Sequence, residues 1–177
     1  MKIRKLLTAA TVGFALVSGA AVAAVEDLTT WTAYGSVSQS PLSATMTGDS
    51  GISKSFSFGA GTNFSFNWFF QANDYLPYND WSAVNVDGNL NIVLSNVGAV
   101  GDYGNSGWQT FSTTLLNPVN GMITFSVSNA LDQALWSSLT VENVNVSAIP
   151  EPETYALLIA GLGLIGFATR RRQRRAA

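Results

Sequence analysis

Between residues 28 and 148 the apolar residues fall on every second position and never at helical spacing, which confines this segment to β-structure. Phe56 and Phe58 share a face, as do Phe64, Phe66, Trp68 and Phe70. Val84 and Val86, then the turn Asp87-Gly88, then Leu90, Ile92 and Leu94 read as a hairpin. The runs 108–116 and 122–128 flank a second turn signal, Asn117-Pro118-Val119-Asn120-Gly121. A last strand carries Leu139, Val141, Val144 and Val146, and its alternation slips at Glu142-Asn143, where a β-bulge is expected. Residues 29–61, rich in Ser, Thr and Gly, are either the first strands or a looser lead-in. Seven to nine short strands between Gly, Asn and Asp turns predict an all-β fold, an antiparallel β-sandwich of jelly-roll-like form. The tryptophans Trp68 and Trp136 are expected in its core.

The charges narrow what such a domain does. Of nine basic residues, three stand at the start (Lys2, Arg4, Lys5) and five at the end (Arg170, Arg171, Arg172, Arg174, Arg175), leaving Lys54 alone between. Nine carboxylates lie between Val25 and Ala148, so that segment has a net charge of −8. A surface this acidic repels phosphate backbones, and no nucleic-acid partner is expected. With neither histidine nor cysteine, His-based acid–base chemistry, catalytic triads, thiol nucleophiles and the usual zinc sites are excluded. Lys54 has Gly51 three residues before it, not the serine of an S-x-x-K pair. About 125 residues suffice for one core without disulfide staples.

The two ends are addresses. Residues 1–23 show a basic start, the apolar run 6–17 and small residues ending in Ala21-Val22-Ala23, the layout of a signal peptide for the Sec export machinery. Cleavage is expected after Ala23, with Ala24 as the second choice. At the other end Pro150-Glu151-Pro152 precedes an apolar stretch, 155–169, and then the arginine block. Fifteen helical residues span about 22 Å, short of the ~30 Å hydrocarbon core. The arginines would keep the C-terminus in the cytoplasm and the domain outside. The chain thus divides into a signal helix (1–23), a sandwich domain (24–148) and a sorting segment with a short transmembrane helix (149–175).

The C-terminal arrangement closely resembles the PEP-CTERM sorting domain of Gram-negative bacteria. That resemblance implies recognition of Pro150, Glu151 and Pro152 by an exosortase, a transient inner-membrane intermediate, and delivery to the cell surface or extracellular matrix. It also implies an association with exopolysaccharide and biofilm formation. Both prolines are expected to hold the backbone extended for a protease cleft.

Two segments carry the densest polar and aromatic chemistry, residues 69–82, holding a loop of about ten residues, and the loop 98–108. With the segment 137–144 they resemble carbohydrate-binding-module-like sandwiches of other secreted bacterial proteins. Asp74, Asn79, Asp80 and Asp132, with Asn129 as a further donor, are candidate Ca²⁺ ligands, since that ion takes six to eight oxygens from such groups. Tyr75, Tyr78, Trp81, Asp102 and Trp108 are candidate glycan contacts through stacking and hydroxyl recognition. Asp74 or Asp80 with Asp102 is the carboxylate pair that a glycosidase would need. The preferred reading is non-catalytic, a structural or adhesive sandwich at the cell surface. The alternatives are a calcium-dependent, lectin-like glycan module and a small carboxylate glycosidase.

Overall fold

A computed structural model describes residues 24–147 and 152–176. The strands are β1 (Ala24–Val25), β2 (Thr32–Gln39), β3 (Ser43–Phe58), β4 (Thr62–Gln71), β5 (Trp81–Val86) and β6 (Leu90–Asn96). A single helical turn, α1 (Val97–Val100), precedes β7 (Gln109–Leu115), β8 (Val119–Ser128) and β9 (Ser138–Ser147). Residues 29–61 are thus strands rather than a lead-in.

The described strands form one antiparallel ladder, in the order β6-β5-β8-β3-β9-β4-β7, with β2 on β3 and β1 on β9. The ladder curls because β3 belongs to two layers. Its first part, Ser43–Thr47, pairs with β9, and Ser50–Phe58 pairs with β8. Between them the strand turns the corner at Gly48, whose φ of +67° an L side chain rarely adopts. β2 follows the bend through a register shift between Tyr34 and Ser36. Strands that change sheets at bends are the usual way to build sandwich corners.

The alternation seen in sequence is the inner face of each layer. Phe64, Phe66 and Phe70 of β4 and Leu139, Val141 and Val144 of β9 are buried from one side, Val84, Val86, Ile123, Phe125 and Val127 from the other. The layers meet edge to face, Phe66 on Phe125, with centroids 4.8 Å apart and planes at 79°. The expected hairpin is β5–β6. The expected bulge is present in β9: Asn143 has φ +53°, and three steps on β9 oppose two on β4.

Two expectations are corrected. The tryptophan of the core is Trp31, 3% exposed and packed on Phe56 and Phe125. Trp136 is 49% exposed because it lies in a loop, where strand alternation does not apply, while Trp68 is half-buried against the core. The second turn signal closes no hairpin. β8 begins inside it at the buried Val119, and β7 and β8 lie in different layers, so 116–118 is a crossover.

Beyond the sandwich, α2 (Pro152–Ala176) is a 25-residue helix. The described side chains of 156–167 are mostly exposed and apolar. Among the described residues no helix is long and apolar enough to cross a membrane. Pro152, expected in an extended segment, is instead the first residue of α2, a position where a missing N–H costs no hydrogen bond. The signal segment, Ala23, Pro150 and Glu151 lie outside the described residues.

Candidate functional site

The bend of β3 is also where aromatic surface gathers. Its sequence there is Gly48-Asp49-Ser50-Gly51, and each glycine lies beneath an aromatic ring. A methyl group on Gly48 would stand 3.2 Å from Cδ2 and 3.3 Å from Cγ of Trp136. One on Gly51 would meet the Cε1 and Oη atoms of Tyr34 at 2.6 Å. Lacking Cβ, both glycines let the rings rest directly on the backbone. Tyr34 is 51% exposed and Trp136 about as much, so each ring also faces solvent.

Asp49 lies between the two glycines in the chain and lines one hollow with Trp136. Its Oδ1 accepts from Ser128 Oγ and from the Asn129 N–H, both at 2.9 Å. Its Oδ2 accepts nothing from the described residues. Beside Trp136 the bend encloses a hollow of about 280 Å³ whose lining includes Ser36, Thr47, Asp49 and Gln133. Burial, then the nearby Asp49 charge, holds the Tyr34 phenol above its ordinary value of 10.0, with a hydrogen bond to Ser126 opposing them.

Trp136 is held in place by the loop 129–137. Asn129, with its amide oriented to suit its neighbours, accepts from Trp136 Nε1 at 3.1 Å and donates to Asp80 Oδ2 at 3.1 Å. Asp80 is fully buried. Its Oδ1 accepts from the Ala130 N–H at 2.8 Å; its Oδ2 accepts from Ser137 Oγ at 2.7 Å and the Ser137 N–H at 3.3 Å. Asp80 therefore fastens the 129–137 loop to the start of β5 and, through Asn129, orients the indole.

That use of Asp80 bears on calcium. Its oxygens are filled by N–H and O–H donors, which a metal would have to displace. Asn79 Oδ1 accepts from the Gly98 N–H at 2.7 Å, and Asp132 Oδ1 from the Ala134 N–H at 3.0 Å. Asp74 is fully buried; its Oδ1 accepts from the Tyr75 N–H at 2.8 Å, and its Oδ2 has no partner. Among the described residues no three His, Cys, Asp or Glu side chains group as metal ligands. Asn129, expected to share a cation with Asp80, bonds to it directly.

The predicted glycan contacts divide. Tyr75 and Tyr78 lie edge to face at 5.4 Å, and Tyr103, unmarked in the sequence reading, joins them 5.9 Å from Tyr75. Asp102 Oδ1 accepts from the Leu76 N–H at 3.0 Å, tying the two loops together. Trp108 packs on Phe69 at 5.6 Å. Trp81 alone approaches the bend: it pairs across strands with Ser128, the residue that anchors Asp49. Trp136, Tyr34 and Asp49 were missed; the one available signal was the Gly-Asp-Ser-Gly run inside a long strand.

Among the solved structures that the fold is similar to are three modules. The N-terminal cellulose-binding domain of Cellulomonas fimi β-1,4-glucanase C is 13% identical (TM-score 0.41), over 72% of this chain and 93% of that one. The K3 cleaved adhesin domain of Lys-gingipain from Porphyromonas gingivalis is 12% identical (TM-score 0.39), over 62% and 75%. The C-terminal CBM6 of a marine laminarinase from Zobellia galactanivorans is 12% identical (TM-score 0.34), over 66% and 96%. Likenesses this distant assign no ligand. No curated protein sequence matches the chain. The tail is matched by its own family: residues 148–172 carry the PEP-CTERM protein-sorting motif.

Proposed function

We propose that this is an exported, exosortase-processed protein of a Gram-negative cell surface or exopolysaccharide matrix, whose sandwich adheres to glycan without cleaving it. The single observation that carries the binding role is the β3 bend. Two solvent-facing rings rest on glycines of one four-residue run, which also carries an anchored carboxylate, with a hollow beside. Sugar rings present C–H faces that stack on aromatic π-clouds, and hydroxyls that pair with carboxylates and amides. Trp136 and Tyr34 supply the platforms; Asp49, Gln133, Ser36 and Thr47 supply the polar edge.

Cleavage is disfavoured by burial. The glycosidase pairing needed Asp74 or Asp80 to face a sugar, and both are fully enclosed. The sorting role rests on residues 148–172 and on the layout of the tail. A helix too short in apolar length to hold a membrane stably suits a tether that is later cut. Removal of the signal after Ala23 would leave Ala24 as the first residue of β1, where it pairs with Val146 of β9.

The test is a glycan array and affinity electrophoresis on the exported protein, with Trp136→Ala and Tyr75→Ala beside it. Loss of Trp136 is expected to weaken binding about 30-fold, the ~2 kcal/mol of an aromatic anchor. Tyr75→Ala should leave affinity within about twofold. The opposite pattern would move the site to the tyrosine loops, and no binding by the parent protein would leave only a structural role. Replacing Pro150, Glu151 and Pro152 by alanine should leave unprocessed protein in the inner membrane; normal processing would refute the exosortase assignment.

A further inference from the structure

We infer that the glycan held at the β3 bend is polycationic, and that Asp49 receives the ammonium group of a 2-amino-2-deoxy sugar unit between Trp136 and Tyr34. This deepens the glycan-binding reading and rests on it.

Four observations converge. First, Asp49 is exposed and pre-positioned: Ser128 Oγ and the Asn129 N–H hold Oδ1, and no described residue donates to Oδ2. An ammonium group with three donors suits that free oxygen better than a single hydroxyl, since charge-assisted hydrogen bonds are the stronger kind. Second, the rings of Trp136 and Tyr34 rest on the glycines one and two positions from Asp49, and Trp136 lines the same hollow as the carboxylate. Aromatic faces attract cations, and rings around a carboxylate make the surroundings in which a cationic ligand is preferred to a neutral one.

Third, the domain offers no cation of its own to neutralise Asp49. Lys54 is the single basic residue between Val25 and Ala148, and its Nζ is 2.7 Å from Glu26 Oε2, over the Phe56 ring. Fourth, the net charge of −8 on that segment attracts polycations from a distance and repels acidic polysaccharides. The hollow beside Trp136 sets the Ser36 and Thr47 hydroxyls and the Gln133 amide in a mostly apolar wall, which suits a sugar ring, with its C–H face and its hydroxyls, better than a lysine-rich peptide.

The experiment compares three ligands on the exported protein by isothermal titration calorimetry at low salt. They are a β-1,4-linked glucosamine hexamer, its fully N-acetylated counterpart and a hexalysine peptide. The glucosamine hexamer is expected to bind at least tenfold tighter than the acetylated one. That advantage should shrink as salt rises from 20 to 300 mM, on the scale of a Debye length of about 10 Å at 0.1 M. Asp49→Asn keeps an oxygen for Ser128 and Asn129, and should bring the ratio of the two affinities to about one, whatever it does to each. Equal affinity for both hexamers, or a ratio unchanged in Asp49→Asn, overturns the inference while leaving glycan binding intact. Hexalysine binding as tightly as the glucosamine hexamer overturns it in favour of a cationic peptide. No binding of either sugar overturns the glycan reading itself. Where the variant folds poorly, the comparison of the two hexamers on the parent protein still tests the preference for a cationic glycan: equal affinities overturn it.

Discussion

Asp80 is the residue whose removal tests most of the structure at once. Asp80→Ala takes one acceptor group from four donors: the Ala130 N–H, the Ser137 N–H, Ser137 Oγ and Asn129 Nδ2. Each hydrogen bond to a charged group is worth about 1.5–3 kcal/mol. Their sum, up to about 12 kcal/mol, overstates the cost, since water enters the vacated space and the loop relaxes outward. The expected loss is about 3–5 kcal/mol, the upper end for a single substitution that breaks a buried hydrogen-bond network. For a domain of this size that corresponds to roughly 10–20 °C in Tm. Thermal denaturation followed by circular dichroism measures it. Glycan affinity should fall alongside, because Asn129 loses its support and Trp136 with it. A fall in Tm below about 4 °C would show that the 129–137 loop stands without Asp80 and refute the reasoning. Chelator added to the parent protein separates hydrogen bonding from metal binding. Tm is expected to stay unchanged, and a drop resembling that of Asp80→Ala would favour calcium as the ligand of these oxygens.

Two further outcomes follow from the same site. Gly51→Ala places a methyl group 2.6 Å from the Tyr34 ring and from the Phe125 carbonyl; it should cost about 1–3 kcal/mol and weaken glycan binding, and full stability with full affinity would show that the ring has no need of a bare backbone. In a spectrophotometric titration Tyr34, identified by its absence in Tyr34→Phe, should ionise above pH 10.0, because burial and Asp49 both favour the neutral phenol. Since the folded value is the raised one, Tyr34 stabilises the fold below the unfolded pKa, and that contribution is lost as pH rises through the folded value. Asp49→Asn should lower the midpoint, and an unmoved midpoint would place the carboxylate too far away to matter.

Local pattern was enough for several features. The period of two in Phe64–Phe70 and Val84–Leu94 fixes which face of a strand is apolar, and the slip at Glu142-Asn143 marks a bulge wherever the strand pairs. The Pro-Glu-Pro tail is legible for a different reason: a sorting enzyme reads a linear segment, so its order and spacing carry the information without any fold. Burial of a loop residue is another matter. Trp31 and Trp136 look alike in sequence, yet one fills the core and the other lies open, because the second stands outside any strand and its place depends on Asn129 and Asp80. The part Asp80 plays in fastening a loop was illegible for the same reason, since its donors come from residues 50 and 57 positions away. Only the folded chain could decide that Gly48 and Gly51 are floors for aromatic rings. That outcome requires β3 to turn from one layer into the other, and the turn is set by the pairing of β3 with β8 and β9, strands some seventy to ninety residues further along.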